Sequence, residues 1–334
     1  MKTSAFLPTN SSTSRSYRGV MLDWGKIAGA QDAGGNSAII GWDWSWRAVL
    51  GARGADARDW LHGMLTANVR ALAPGATAPA LVLNPRGHIL GTVRVVALTP
   101  DAFLLLTDES QRLSLYAHLR RFIIREKVEF RDYGATDVEA IGIIGGEAGA
   151  GLQAAGLPTP ALGGVESVRA EAAWGLHYRW GQGEVWELVC TDGGLREWRQ
   201  KLEAGGMRWQ AGAEQERRRI DWGVPLYGQD IRERDLPQET RQMEALDFHK
   251  GCYIGQEIVE RIRARGQVHR GLFRLRFPRP VMAGAGLTKN GEAAGEITSA
   301  AALETGEGAA LGYVRQAQPG DRVQAGELEG VLLE

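Results

Sequence analysis

The chain has 334 residues, 44% of them apolar and 24% charged, with a formal net charge of −1. That length and apolar content suffice for a sizeable core shared by two or three domains. The near-zero charge supplies no global basic field to recruit nucleic acid or an acidic membrane surface, and no apolar run approaches the roughly 18 residues needed to span a bilayer. The two cysteines, Cys190 and Cys252, form no Cys-x-x-Cys pair. A disulfide scaffold and a four-cysteine zinc or iron–sulfur site encoded by this chain alone are thereby excluded. A reducing cytosol fits, and the expected location is cytoplasmic.

The first twenty-two residues lack acids and are rich in Ser and Thr, with Lys2, Arg15 and Arg18. Without an amphipathic helix or an apolar signal core, residues 1–20 are expected to be a flexible tail. Residues 46–50 predict a strand, and 55–65 a helix with Trp60, Leu61 and Leu65 inward. Residues 81–83 and 89–98 predict a β-hairpin across Asn84-Pro85-Arg86-Gly87. Further strands are expected at 103–107, 128–133 and 138–144, with an amphipathic helix over 110–123. The Gly/Ala/Pro-rich stretch 146–164 reads as loop with at most a short helix. Glycines at 142, 145, 146 and 149 follow a strand, but the spacing is not Gly-x-Gly-x-x-Gly and no βαβ unit follows, so a nucleotide loop is not expected. Residues 177–180 and 185–190 predict a second hairpin, and Leu195, Trp198 and Leu202 mark a helix ending at Gly205-Gly206.

After Gly266 the texture changes. Phe273, Leu275 and Phe277 alternate with Arg274 and Arg276, and Asn290-Gly291 is a strong hairpin signal. Residues 269–334 therefore predict a small C-terminal β-barrel. Irregular mixing of strands and helices before it predicts an α+β body over 21–268 rather than a doubly wound sheet.

The most informative stretch is Lys250-Gly251-Cys252-Tyr253-Ile254-Gly255-Gln256-Glu257. Ile254, Ile258 and Ile262 fall at helical spacing, and Glu257 precedes Arg261 by four residues, the favourable order for a helical ion pair. Cys252 is thus expected at or just before a first helical turn, where unpaired N–H groups, the helix dipole and Lys250 favour a thiolate. The alternative for a lone cysteine is simple core packing.

This octapeptide resembles the signature of the YgfZ family of folate-binding proteins, which support iron–sulfur enzymes and share a superfamily with the aminomethyltransferase (T-protein) of glycine cleavage. Residues 219–225 (RIDWGVP) with Tyr227-Gly228-Gln229-Asp230, and Leu236-Pro237-Gln238-Glu239, are similar to the superfamily's segments upstream of that signature. Residues 50–68 resemble its first strand, turn and helix. The likeness spans roughly residues 45–334. It implies a multidomain aminomethyltransferase-like fold of mixed sheets with helices, whose first two domains are interwoven, followed by the small barrel.

The same resemblance implies tetrahydrofolate or a one-carbon derivative as cofactor, with no stably bound metal. Partners would be iron–sulfur client enzymes, tRNA-modifying ones among them, or assembly proteins, with neither direct nucleic-acid nor membrane binding. Glu187, in Glu184-Val185-Trp186-Glu187-Leu188, matches the strand acid that hydrogen-bonds the pterin; chemically, a carboxylate can accept the parallel N–H pair of a 2-amino-pyrimidinone edge. Trp186 and Tyr253 are candidate aromatic contacts in a central cleft. Arg219 matches an arginine that would hold the ligand's carboxylate tail, although its Arg217-Arg218-Arg219 run also reads as a solvated helix face. Cys252 and Lys250 form the candidate functional motif, Cys252 being a possible transient cluster ligand or a nucleophile toward a folate-borne carbon. In the aminomethyltransferases the hairpin equivalent to Arg86–Ile89 continues into an acidic pair; here Leu90, Gly91 and Thr92 follow. That departure favours an accessory protein over a one-carbon transferase, which stays as the alternative. An interaction scaffold with a packed Cys252 is the third reading.

Overall fold

The computed structural model describes residues 39–333, apart from 135, 136, 170, 171 and 267. The expected tail at residues 1–20 lies outside the described residues. In chain order, β1 (Ile40–Asp43), β2 (Arg47–Arg53) and α1 (Ala57–Met64) lead into the hairpin β3 (Thr77–Leu83) and β4 (Ile89–Thr99). Next come β5 (Ala102–Asp108), α2 (Glu109–Arg120), β6 (Glu129–Asp132), β7 (Glu139–Ile144) and α3 (Ala148–Ala154). The middle of the chain forms β8 (Gly164–Arg169), β9 (Ala173–Trp180), β10 (Gly183–Cys190), α4 (Leu195–Ala204), β11 (Arg208–Trp209) and α5 (Gly212–Asp221). A largely irregular segment then reaches α6 (Gln256–Arg265). The chain continues as β12 (Arg270–Phe277), β13 (Gly286–Lys289), β14 (Glu292–Ala302), β15 (Gly308–Arg315), β16 (Arg322–Ala325) and β17 (Leu328–Leu333).

Among the described residues the strands form a five-stranded sheet, β3-β4-β5-β2-β6, a six-stranded sheet, β11-β1-β7-β10-β9-β8, and a closed barrel of β12 to β17. The chain starts the six-stranded sheet with β1, builds the five-stranded sheet with β2 to β6 and then returns to the first. β1 and β2 are consecutive yet belong to different sheets, and the six-stranded sheet is completed only by strands more than ninety residues further on. Strand alternation gives each sheet two apolar faces. One face of the five-stranded sheet packs with α1 and α2 around Leu50, Leu61, Val95 and Leu115. One face of the six-stranded sheet packs with α3 and α4 around Ile141, Leu152, Leu188 and Trp198. The two remaining faces meet in a tryptophan-rich core that includes Val49, Leu104, Trp42, Trp44 and Trp174. Each such indole takes on the order of 200 Å² out of water, an upper bound of roughly 5 kcal/mol apiece.

The barrel closes by the expected alternation: Phe273, Leu275 and Phe277 point inward. Asn290 and Gly291 both have positive φ at the β13–β14 turn, as a type I′ hairpin requires. Against α5 the barrel presents Leu272, Leu311 and Tyr313, which bury Ile220. The segment after α5 packs Ile231, Leu246, Tyr253 and Val259 onto the β3–β4 hairpin.

Helix α6 starts later than its apolar spacing predicts. Gly255 is its N-cap at φ +84°, and a Cβ there would lie 2.6 Å from the Asn84 carbonyl oxygen and 3.2 Å from the Cα of Gly87. This close approach of two turns, permitted only by glycine, holds the chain out of helical conformation through Gly255. Of the two expected positions, at the first turn or just before it, Cys252 takes the second: it precedes the N-cap by three residues, which weakens the helix-dipole argument for its thiolate.

Candidate functional site: a cavity between the sheets and the barrel

A cavity of about 680 Å³ opens where the two sheets meet the barrel. Its volume is in the range of small-molecule and cofactor sites. Strands β2, β4, β5 and β9 supply Arg47, Arg94, Asp108 and Tyr178 to its wall, and Trp46, Trp180 and Trp222 add aromatic surface. The far side is closed by Leu272, Phe273 and Arg274 of β12. The cavity is thus built by convergence of distant segments.

Glu187 lies at the centre of the polar cluster behind this wall and is completely buried. Arg47 donates to its carboxylate from Nε at 2.5 Å and Nη2 at 3.2 Å, and the Tyr178 hydroxyl donates to Oε2 at 2.6 Å. Arg47 and Tyr178, but not Glu187 itself, line the cavity. The Arg47 guanidinium also lies 5.1 Å from the ring centroid of Trp44 and 4.6 Å from that of Trp46, and its Nη1 is 3.9 Å from Asp108. Burial works against the cation, and Glu187, Tyr178 and Asp108 overcome it, so the pKa of Arg47 rises. Burial raises the Tyr178 hydroxyl, with Glu187 adding to the effect. Burial likewise raises the Asp108 carboxyl, although Arg47 and Gln111 oppose it. Arg94 stacks over Tyr178 with its Cζ 3.7 Å from the ring centroid and donates to Thr77.

The other sequence-predicted residues are placed elsewhere. Trp186 is the neighbour of Glu187 on β10, so its side chain emerges on the opposite face of the sheet. There it stacks on His177 at 3.7 Å and packs with the outer core under α3 and α4, away from the cavity wall. The aromatic surface of the cavity comes instead from Trp46, Tyr178, Trp180 and Trp222. Arg219 is neither on a solvated face nor on the cavity wall. It donates to Asp230 at 2.8 Å, to Ser299 at 2.9 Å and to Glu216 at 2.6 Å, tying α5 and the following loop to the barrel strand β14. Its guanidinium is consumed by this joint, which is the physical reason it is not presented to a ligand's tail.

The octapeptide forms a separate feature. Lys250 is buried, and its Nζ donates to the carbonyl oxygens of His62 at 2.6 Å, Leu65 at 2.5 Å and Ala67 at 2.8 Å. These are carbonyls at and just beyond the C-terminus of α1, where the helix has no partners of its own to offer. Burial pulls Lys250 down to about 7, while the charge of Asp247 opposes the shift; only the ammonium form has three N–H groups for the three acceptors. Tyr253 is buried in the core below the β3–β4 hairpin, 4.9 Å from Lys250 Nζ, and does not line the cavity. Cys252 is exposed and lies off the cavity wall. Next to it, an added Cβ on Gly251 would stand 3.8 Å from His62 Nε2. The structure therefore brings Lys250, Cys252 and Tyr253 together in one anchored loop, and Glu187 into the cavity cluster, but does not join the two groups.

Sequence reasoning missed Arg47, Arg94, Asp108 and Tyr178. Tyr178 had a signal: in the expected 177–190 hairpin it is a same-face diagonal neighbour of Glu187. Arg47 had none, since its partner is 140 positions away. The Glu257–Arg261 pair expected on α6 is present at 2.6 Å, and its exposure makes it energetically minor. No helix among the described residues is long and apolar enough to cross a membrane.

Comparison with known proteins places these features in a family. Residues 36–250 match the GCVT N-terminal domain. The chain is 28% identical over 298 residues to the iron–sulfur cluster assembly factor IBA57, mitochondrial, of Homo sapiens, covering 81% of this chain and 73% of that one. It is 27% identical over 232 residues to the tRNA-modifying protein YgfZ of Edwardsiella ictaluri, covering 68% of each. The glycine cleavage system aminomethyltransferase T of Bartonella henselae superposes with a TM-score of 0.81 over 90% of this chain and 86% of its own, at 20% identity, a likeness of fold. The mixed sheets with helices and the closed C-terminal barrel are thus those of the aminomethyltransferase fold, and the chain belongs to the YgfZ/GcvT-like family built on the GCVT N-terminal domain.

Proposed function

We propose that this protein binds tetrahydrofolate or a one-carbon derivative and supports assembly or repair of iron–sulfur clusters in client enzymes, tRNA-modifying enzymes among them. The observation that carries the folate part is Glu187: a fully buried carboxylate, set behind a 680 Å³ cavity, already arranged to accept a parallel pair of N–H donors. The residues fit the cofactor. Glu187 would accept the 2-amino-pyrimidinone edge, Trp46 and Trp180 offer flat apolar surface, and Arg94 and Arg274 add cationic groups for an acidic tail. When bound, folate would supply a one-carbon carrier at this wall. The iron–sulfur part draws on the names of the IBA57 and YgfZ relatives.

Cys252, exposed on a loop that Lys250 anchors to α1, supplies one thiolate to a cluster held jointly with a partner or with small thiols. Client-enzyme activity in cells lacking the native protein tests this role. Wild type is expected to restore it and Cys252→Ala to fail, with unchanged thermal unfolding. Full restoration by Cys252→Ala would assign Cys252 to packing and favour the scaffold reading.

A folate-dependent aminomethyl transferase is the second reading, and one observation favours it. Thr92 stands in the stretch where the resemblance expects acids, yet Gln111 accepts from the Thr92 N–H at 2.8 Å and donates to Asp108 at 2.9 Å. A carboxyl is therefore available in the cavity from β5 instead of β4. Transfer from an aminomethylated donor that Asp108→Asn abolishes would establish this reading over the accessory role.

A further inference from the structure

We infer that Arg47 is a built-in stand-in for the ligand at Glu187, and that ligand binding hands its guanidinium over to Asp108. This inference rests on the folate reading and adds a residue and a conformational step to it. Arg47 presents two donors to Glu187, from Nε to Oε1 and from Nη2 to Oε2. An amino-pyrimidinone edge presents the same pattern, a ring N–H beside an exocyclic N–H. The fork-on-fork geometry of a carboxylate accommodates one such partner in its plane, and Tyr178 already takes the remaining approach to Oε2. A ligand can reach Glu187 only by taking the place of Arg47.

The surroundings let that happen without stranding a charge. Glu187 has no exposed surface, so releasing Arg47 to an empty site would leave a buried carboxylate with the Tyr178 hydroxyl alone, a costly state. The exchange is feasible only when the incoming molecule brings its own donor pair. Arg47 in turn has a second acceptor close by. Its Nη1 is 3.9 Å from Asp108 Oδ1 and 3.5 Å from the Thr107 carbonyl oxygen, and Asp108 lines the cavity. The faces of Trp44 and Trp46 flank the guanidinium and offer a continuous cation–π surface for a shift of that size. Molecules lacking the paired donors would leave Arg47 in place and meet a closed site.

Two measurements on the full-length protein test this. In the wild type, the Arg47 Nε–H resonance, assigned by its absence from Arg47→Gln, should move on saturation with tetrahydrofolate under anaerobic conditions. An unmoved resonance in a protein that binds would overturn the handover. By calorimetry, Arg47→Gln should bind tetrahydrofolate at least about tenfold more tightly than wild type, because the competitor is gone. Asp108→Asn should bind more weakly, because the displaced cation loses its acceptor. Binding by wild type that Arg47→Gln leaves equal or weaker overturns the inference and leaves the folate reading standing. Absence of binding in both proteins overturns both.

Discussion

Replacing Lys250 by methionine separates the anchor from the thiol two residues away. The ammonium holds three buried carbonyls, those of His62, Leu65 and Ala67, which come from one end of α1 and the turn beyond it. A hydrogen bond to a charged donor contributes about 1.5–3 kcal/mol net. The three share a single ion, whose own desolvation opposes them, so the sum is well below three times that figure. Methionine restores the apolar stem but leaves the acceptors without this donor. The expected loss is about 3 kcal/mol, equivalent to roughly a hundredfold in an opening equilibrium. Native-state hydrogen exchange reads it locally. The amide of Ile254 donates to Gly63 and that of Asp247 to Thr66, both across the same junction. Their exchange should accelerate by about two orders of magnitude, while the barrel amides stay unchanged. Unaltered protection at Ile254 and Asp247, with client activity lost as in Cys252→Ala, would refute the anchor and make Lys250 a chemical partner of the thiol.

Two further outcomes are expected. Arg219→Ala removes one member of a buried ion pair and should cost about 3–5 kcal/mol in thermal or denaturant unfolding, with tetrahydrofolate affinity retained; lost affinity with unchanged unfolding would return Arg219 to the ligand's tail. His62 is lowered to about 4 by burial, with Lys250 and Arg70 adding to the effect. Because its folded pKa lies below the ordinary value of about 6.5, its contribution is fully present above that pH and is lost as pH falls through 4, up to about 3 kcal/mol. His62→Asn, which keeps an acceptor for the Arg70 amide, should flatten the stability profile between pH 6.5 and about 4; parallel profiles for the two proteins would refute the assignment.

Local pattern carried much of the fold. The Asn84–Gly87 and Asn290-Gly291 turns, the alternation of β12 and the helix ending at Gly205 are set by nearest neighbours, and the structure has each of them. The split of β1 and β2 between two sheets is decided by pairings with β7 and β5 far along the chain, which no window of sequence contains. At the site, Glu187 was legible from its motif, but its partner Arg47 and the cavity wall depend on long-range assembly. The placement of Trp186 was readable in principle: adjacent strand residues cannot share a face, so a Glu187 directed into the molecule's centre directs Trp186 outward. The local motif pairs Lys250 with the thiol, whereas its acceptors lie 183 to 188 positions earlier. The contact of Gly255 with Asn84 and Gly87, which makes glycine obligatory there, appears only in three dimensions.

Anaerobic calorimetry of tetrahydrofolate with the wild-type protein and Glu187→Gln tests the central claim most directly. The wild type should bind, and the variant, which keeps the side-chain volume but replaces one acceptor by a donor, should bind at least about tenfold more weakly. A wild-type protein that shows no binding, or a variant that binds as tightly as the wild type, would contradict a folate site at Glu187.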